Sequence, residues 1–281
     1  MIKTKIRCMT PEDFAFAVEL TDSMNWDFTD RDFQFMMELE PEGCFIALEG
    51  TEKVGIVTAI CYGKLGWIGN LLVKPENRLR GIGSSLLKHA MGYLMKKGAK
   101  TIGLYSYAET VPFYEKFGFK RESNFIRFVI QSLRKQMEVN IPRGMNEADM
   151  ADAVKLDGAC GLYSREKLLR RILTDSRDLC YVARKNGKLI GFIMADWYRR
   201  EIGPWLCCPS YTMEALSLLR AVLKKLSETE AHIGVPEKRK NILAALEGVH
   251  LKEEFRVIRM FYGEGLVDNS CLLAMESLER G

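Results

Sequence analysis

The chain has little of what metal and redox centres are built from. It holds only three histidines, and its eight cysteines (8, 44, 61, 160, 180, 207, 208 and 271) include no CxxC pair and no regular spacing. That usage excludes the common zinc motifs and a disulfide framework, and favours reduced, mostly buried thiols. His89, His232 and His250 lie at no ligand spacing, so no metal is expected. No apolar run approaches the roughly 20 residues that a membrane span needs. The opening stretch "MIKTKIRCMT" lacks the apolar core and cleavage pattern of a signal peptide, which points to a cytoplasmic protein with no membrane partner. A net charge of +4 is mild. Dedicated nucleic-acid binders concentrate more basic charge on one face, so no nucleic-acid partner is expected. There is no GxxxxGK[ST] segment either, which removes the P-loop nucleotide sites.

What is present is a duplication. A chain of 281 residues, 47% hydrophobic and 28% charged, fits two soluble domains, each large enough to bury a core. "RCMTPEDFAFAVELTDSM" from Arg7 and "RGMNEADMADAVKLDGAC" from Arg143 align without gaps at an offset of 136, with seven of 18 positions identical. The same offset pairs "CFIALEGTEKVGIVTA" from Cys44 with "CYVARKNGKLIGFIMA" from Cys180, with four of 16 identical. Eleven matches in 34 compare with roughly two expected from average residue usage. The offset falls to 134 where "IGNLLVKP" (68–75) meets "IGPWLCCP" (202–209), and to 132 where "SLLK" (85–88) meets "SLLR" (217–220). Two small deletions thus separate two copies of one fold. The division expected is 1–134, a polar linker at 135–144, and 145–281.

Within one copy, Thr10 with Pro11 and Asp13 reads as a helix start, and Asn146 with Asp149 repeats it. A second helix follows over 29–39. "CFIALEG" and "KVGIVTAICYG" read as a hairpin, "GWIGNLLV" as a strand, "GSSLLKHAMGYLMKKG" as a helix, "TIGLYSY" as a strand, "TVPFYEKFG" as a short helix and "NFIRFVI" as a last strand. The order α-α-β-β-β-α-β-α-β predicts an α/β domain, repeated in tandem, with a mixed, mostly antiparallel sheet flanked by helices.

The segment that carries chemistry is "NLLVKPENRLRGIGSSLL". A buried strand runs into a turn with Arg78, Arg80, Gly81 and Gly83, and a helix follows. Glycines let backbone N–H groups converge on an anion, and a helix N-terminus adds partial positive charge, so the arrangement suits a phosphate or pyrophosphate. A Rossmann fingerprint is incomplete, because Leu86 stands at its third glycine.

"RLRGIG" resembles the R/Q-x-x-G-x-G/A motif of the GCN5-related N-acetyltransferases, and "PFYEKFGF" (112–119) resembles that family's Tyr-x-x-x-Gly-Phe segment. The resemblance is close over about residues 5–130, and the repeat extends the fold to the second half. It implies acetyl-CoA as co-substrate, with Leu71, Leu72 and Val73 beside the pantetheine arm. It implies that the backbone of Arg78, Leu79, Arg80, Gly81, Ile82, Gly83 and Ser84 cradles the pyrophosphate, and that Tyr114 is the general acid. The acceptor would be a small-molecule or protein amine. Where many members carry an acid on the strand before the loop, this chain has Asn70, and Glu109, Glu38, Asp27 or a relayed water remain open as the base. Trp26, Phe28, Phe33 and Phe35 lie where members often line the acceptor site, although aromatic residues at this density more often form core.

The second copy reads "SYTMEAL" where the first has "ENRLRGIGS", with Leu246 in place of Tyr114. One active site, in the first copy, is therefore expected. A silent acyl-CoA sensor and a nucleotide-binding protein with an unusual glycine loop are the rival readings. Monomer and homodimer are both left open. Cys207 and Cys208 align with Val73 and Lys74 and read as residues of a strand that once served the cofactor, one side chain on each face.

Overall fold

The computed structural model describes residues 4–133, 142–162, 164–226, 229–246, 249–264 and 270–281. It contains two compact units: Met1–Leu104 with Arg280, and Tyr105–Glu279 with Gly281.

The first unit begins with an edge strand, β1 (Thr4–Cys8), followed by α1 (Phe14–Asp22), α2 (Asp30–Leu39), β2 (Cys44–Glu49), β3 (Glu52–Tyr62), β4 (Leu65–Val73), α3 (Ile82–Lys96) and β5 (Thr101–Ser106), within which the unit boundary falls. The expected helix starts are present. Thr10 and Asp13 form a capping box ahead of α1, and Thr29 and Asp32 form another at α2. Strand β1 was absent from the sequence reading. It is five residues long and pairs at the sheet edge with β2 alone, so no strong alternation marks it. The sheet order is β1-β2-β3-β4-β5, antiparallel except for β4 with β5. Beneath it Phe14, Phe28, Phe33, Met36, Ile46, Ile56 and Leu72 close one core.

The second unit continues with α4 (Val111–Glu115), β6 (Lys120–Leu133), β7 (Arg143–Gly144), α5 (Met150–Asp157), α6 (Glu166–Ser176), β8 (Tyr181–Lys185), β9 (Lys188–Ala195), β10 (Glu201–Cys207), α7 (Thr212–Lys225), β11 (Ala231–Pro236), α8 (Lys240–Leu246), β12 (Val249–Gly263) and β13 (Leu272–Ala274). Its strands run β12-β6-β11-β10-β9-β8-β7, with β13 added to β10. Here too the sheet is mixed and mostly antiparallel, β10 and β11 being the parallel pair. Trp205, Ile193, Leu218, Val222 and Ile233 are fully buried at the centre of its core.

Compactness therefore divides the chain at 104/105, whereas the sequence repeat divides it at 134. The reason lies in β6, the last strand of the first repeat. It pairs along one edge with β11 from Ala231 to Pro236 and along the other with β12 from Val249 to Phe261, both from the second repeat. The expected linker, 135–144, lies largely outside the described residues, and Arg143 and Gly144 at its end pair with β8.

Candidate active site

The strand-turn-helix segment of the first unit is built around a divergence of two strands. β4 pairs along one edge with β3 from Leu65 to Val73. Along the other it pairs with β5 only at Leu65, Gly66 and Trp67. Beyond Trp67 that edge, which includes Leu71, Leu72 and Val73, has no ladder partner among the described residues. An open edge presents N–H and C=O groups to an extended ligand, as an added strand would meet them. Opposite Val57, β4 carries a register shift, and Asn70 there adopts a φ of 49°. Its buried amide donates to Thr58 Oγ1 at 3.3 Å.

After a single turn at Pro75–Asn77 the chain reaches Arg78–Gly81. Two residues here are left-handed, Leu79 at φ 62° and Gly81 at φ 84°, and Gly81 is the N-cap of α3. This reversal leaves the backbone N–H groups from Leu79 to Ser84 without an acceptor among the described residues; the first bond of the new helix runs from Ser85 N–H to Gly81 C=O at 3.0 Å. A Cβ placed on Gly81 would meet no atom within 4 Å, so the space over the turn is open. Arg80 is held in a fork by Glu49, with Nη–Oε distances of 2.9 and 3.1 Å, and Arg78 Nε donates to the Val73 carbonyl at 3.1 Å. Free N–H donors, the positive end of a 15-residue helix and two anchored guanidinium groups fit the phosphates of a coenzyme. Ile82 is buried in the core and contributes its backbone to this row.

Tyr114 belongs to the second unit, on α4. Its ring meets Phe113 and Phe119 edge-on at 5.1 and 5.9 Å. Burial pushes its phenol well above the usual tyrosine range, so the oxygen keeps its proton at neutral pH.

The three acids weighed as a base, Asp27, Glu38 and Glu109, are all exposed. Another acid of the first unit, Glu40, is buried. It accepts hydrogen bonds from Tyr93 Oη at 2.5 Å and Cys61 N–H at 3.0 Å, with Lys97 Nζ 3.7 Å away. Cys61 pairs with Gly66 at the start of β4. Glu40 thus ties the end of α2 and Tyr93 of α3 to the end of β3 that pairs with the start of β4. Lys97 also pairs with Glu42 at 3.4 Å. Phe28, Phe33 and Phe35 are buried, as core residues, while Trp26 stays half-exposed.

The second copy is built differently at the equivalent place. No residue between Cys208 and Thr212 has a positive φ, and α7 starts from Tyr211 at φ −122°. β10 and β11 also pair only briefly, at Glu201 and Ile202 with His232 and Ile233. Here, however, the divergence is filled. Trp205 and Leu206 of β10 pair with Ala274 and Leu272 of β13, and the next N–H, Met275, donates to Gly234 C=O of β11 at 2.9 Å. The fit leaves no slack: a Cβ on Gly203 would fall 1.7 Å from Met275 O, and one on Gly234 2.0 Å from Met275 Cε.

Among the described residues no group of three or more His, Cys, Asp or Glu could hold a metal ion, and no helix is long and apolar enough to cross a membrane.

Two family models match this chain, each described as an acetyltransferase (GNAT) domain, over residues 40–121 and 153–271. A curated relative, an uncharacterized N-acetyltransferase of Methanocaldococcus jannaschii, is 28% identical over 104 residues, covering 32% of this chain and 44% of the relative. The chain thus matches less than half the length of that relative. Among solved structures, a putative acetyltransferase from Pyrococcus horikoshii superposes with a TM-score of 0.80 at 22% identity, covering 99% of this chain and 96% of that one. A GCN5-related N-acetyltransferase from Sphaerobacter thermophilus gives 0.67 at 15% identity, with 94% and 97% covered. A tandem GNAT protein from the clavulanic acid biosynthesis pathway gives 0.64 at 16% identity, with 95% and 100% covered. At these identities the structural likeness establishes the fold.

Proposed function

The chain belongs to the GNAT acetyltransferases as a tandem of two such domains, and from that premise we propose that it moves an acetyl group from acetyl-CoA to a primary amine, using one site per chain. The observation that carries this reading is the row of acceptor-free N–H groups from Leu79 to Ser84, turned outward by left-handed Leu79 and Gly81 beside the open edge of β4. Acetyl-CoA, when bound, supplies an activated thioester. The N–H groups of the turn bind the pyrophosphate with the positive end of α3 behind them, and Arg78 and Arg80 raise the local potential. Leu71, Leu72 and Val73 offer backbone donors and acceptors to the pantetheine arm. Tyr114 holds a proton on its phenol oxygen and gives it to the departing thiolate, while the attacking amine loses its proton to water.

The second copy takes no coenzyme in this reading. Its turn has no left-handed residue to aim helix-terminal donors as Leu79 and Gly81 do, and Leu272–Met275 occupies the divergence between β10 and β11. Calorimetric titration with acetyl-CoA is expected to give one site per chain. Coenzyme A release with a panel of amines is expected to show turnover, and Tyr114→Phe to lower kcat about 100-fold or more with little change in the KM for acetyl-CoA. Tight binding with no turnover on any amine supports the sensor reading instead. Two sites per chain would refute the assignment of the second copy.

A further inference from the structure

Three cysteines from distant parts of the sequence meet in the second unit. Cys160 follows α5 in a short π-helical segment, Cys208 immediately follows β10, and Cys271 immediately precedes β13. Backbone pairing sets Cys271 opposite Cys207, the residue before Cys208, since Cys207 N–H donates to Cys271 C=O at 2.9 Å and Leu206 pairs with Leu272. The vicinal pair is split in role. Cys207 points into the core and reaches Tyr211 C=O at 3.5 Å, and burial pushes its thiol up to about 12. Cys208 remains half-exposed, and its side chain, like that of Cys160, hydrogen-bonds to the sulfur of Cys271.

The surroundings decide which sulfur carries the negative charge. Arg239 clamps the two carbonyls that flank Cys271, donating from Nε to Leu272 O at 3.0 Å and from Nη2 to Ser270 O. Its guanidinium is thereby fixed beside the half-exposed Cys271 thiol. Cys160 is fully buried and lies three residues from Asp157, a buried carboxylate held by Arg165 at 2.6 Å. A thiolate is therefore disfavoured at Cys160 by burial and by a neighbouring anion, and favoured at Cys271 by a cation and by donated hydrogen bonds. In keeping with this, Cys271 is drawn below the ordinary thiol range, first by the hydrogen bond from Cys160, against some burial, and then by Ser270, Cys208 and Arg239.

We propose that Cys271 is a peroxide-sensitive modification site, oxidised first and then joined in a disulfide to Cys160 or Cys208, which fixes residues 270–275 in the divergence between β10 and β11. The Cys271 thiolate attacks a hydroperoxide, the O–O bond breaks, and the products are the sulfenic acid and hydroxide or alkoxide. The thiol of Cys160 or Cys208 then attacks the sulfenic sulfur, the S–S bond forms, and the displaced hydroxide takes the thiol proton and leaves as water. Two thiols lose two electrons, and one hydroperoxide gains them. Because the partners come from the residue after β10 and from the segment after α5, the bond links the start of β13 to the rest of its own unit. The site is independent of Tyr114 and of the glycine turn, so its fate and that of the proposed acetyl transfer are separable.

Limited alkylation of the native chain with iodoacetamide at pH 7, read by peptide mass mapping, tests the first step. Cys271 is expected to react about ten-fold or more faster than the exposed Cys8, since an ordinary thiol is only a few per cent thiolate at that pH. Equimolar hydrogen peroxide is then expected to remove two alkylatable thiols, one of them Cys271, with recovery by dithiothreitol. Hydrogen exchange in residues 272–275 should slow in the oxidised form. Cys271→Ser should abolish the disulfide, and Cys160→Ser and Cys208→Ser, tested singly, should leave pairing to the other thiol or abolish it. These two variants and the native alkylation keep the test valid if Cys271→Ser folds poorly. Faster reaction at Cys8 than at Cys271, or sulfinic acid at Cys271 with no disulfide, would overturn the proposal.

Discussion

The turn that opens α3 rests on two left-handed residues of opposite character, and substituting each should move stability in opposite directions. Gly81 has a φ of 84° with open space around it. In Gly81→Ala the new Cβ meets no atom within 4 Å, so the cost is the backbone term alone. That term is about 1–2 kcal/mol for an L-residue in this region, or a fall in Tm of roughly 2–6 °C in a chain of this size. Leu79 has a φ of 62° and is 106% exposed, so Leu79→Gly gives up no buried contact. It removes the same strain but adds freedom to the unfolded chain, for a net gain of about 0.5 kcal/mol. Thermal unfolding without ligand reads both. Binding separates them further. An alanine at 81 either fills the space over the N–H row or relaxes the turn and disperses the donors, and acetyl-CoA affinity should fall about ten-fold or more, some 1.4 kcal/mol. Leu79→Gly leaves the donors in place, and its affinity should stay within about three-fold of the parent. A Gly81→Ala protein that loses stability as expected yet binds acetyl-CoA like the parent would refute the turn as the anion cradle.

Two further outcomes follow from other parts of the chain. Asp13 is almost wholly buried and is held well below its ordinary value of 3.8, chiefly by the Arg7 hydrogen bonds against burial, with help from Lys53 at 2.6 Å. Arg7 and Lys53 are 36% and 29% exposed, so solvent screening trims their effect, and Asp13→Asn should cost about 2 kcal/mol at pH 7 by urea denaturation. A depressed carboxylate contributes fully above its unfolded value and loses its contribution as pH falls through the lower folded value, so the gap between parent and variant should hold down to about pH 5 and close below pH 3.8; a gap that stays constant to pH 3 would be inconsistent with the ion pair. Gly203→Ala places a Cβ 1.7 Å from Met275 O, which cannot be accommodated unless residues 272–275 move out; the expected result is a loss of about 3 kcal/mol or more with fast hydrogen exchange in that segment, and unchanged exchange would show that the segment is held elsewhere.

Much of each domain was legible because its signals are local. The capping boxes, the hairpin of β2 and β3 and the glycine turn each sit within a few consecutive residues. An ion pair also recurs at the repeat offset, although the sequence analysis did not name it. Arginine and aspartate are identical in both copies, and Arg7 bonds Asp13 at 2.5 and 2.9 Å while Arg143 reaches Asp149 at 2.5 Å. What escaped the sequence was every feature fixed by a distant partner. β1 is a strand because β2 offers it an edge some 40 residues on. Glu40 reads as a surface acid in "LEPEG", and only Tyr93 and Cys61, brought in from α3 and β3, make it a buried one. The departure of β6 into the second unit depends on β11, about 100 residues later.

The two copies show how one geometry leads to opposite ends. Divergence of a parallel strand pair leaves N–H and C=O groups of one edge unpaired, and groups of that kind are tolerated only where water, a ligand or more chain satisfies them. In the first copy the edge of β4 stays open beside a turn whose donors also lack partners, the pairing on which the proposed coenzyme site rests. In the second copy the turn has no left-handed residue, and an open edge there would stand unsatisfied within a core lined by Trp205 and Ile233. β13 and Met275 supply the missing partners from the chain itself. The absence of the glycine turn and the presence of the inserted strand are therefore linked, on the proposed function, by one requirement: the buried backbone of β10 must be paired, and a copy that takes no coenzyme must pair it with protein.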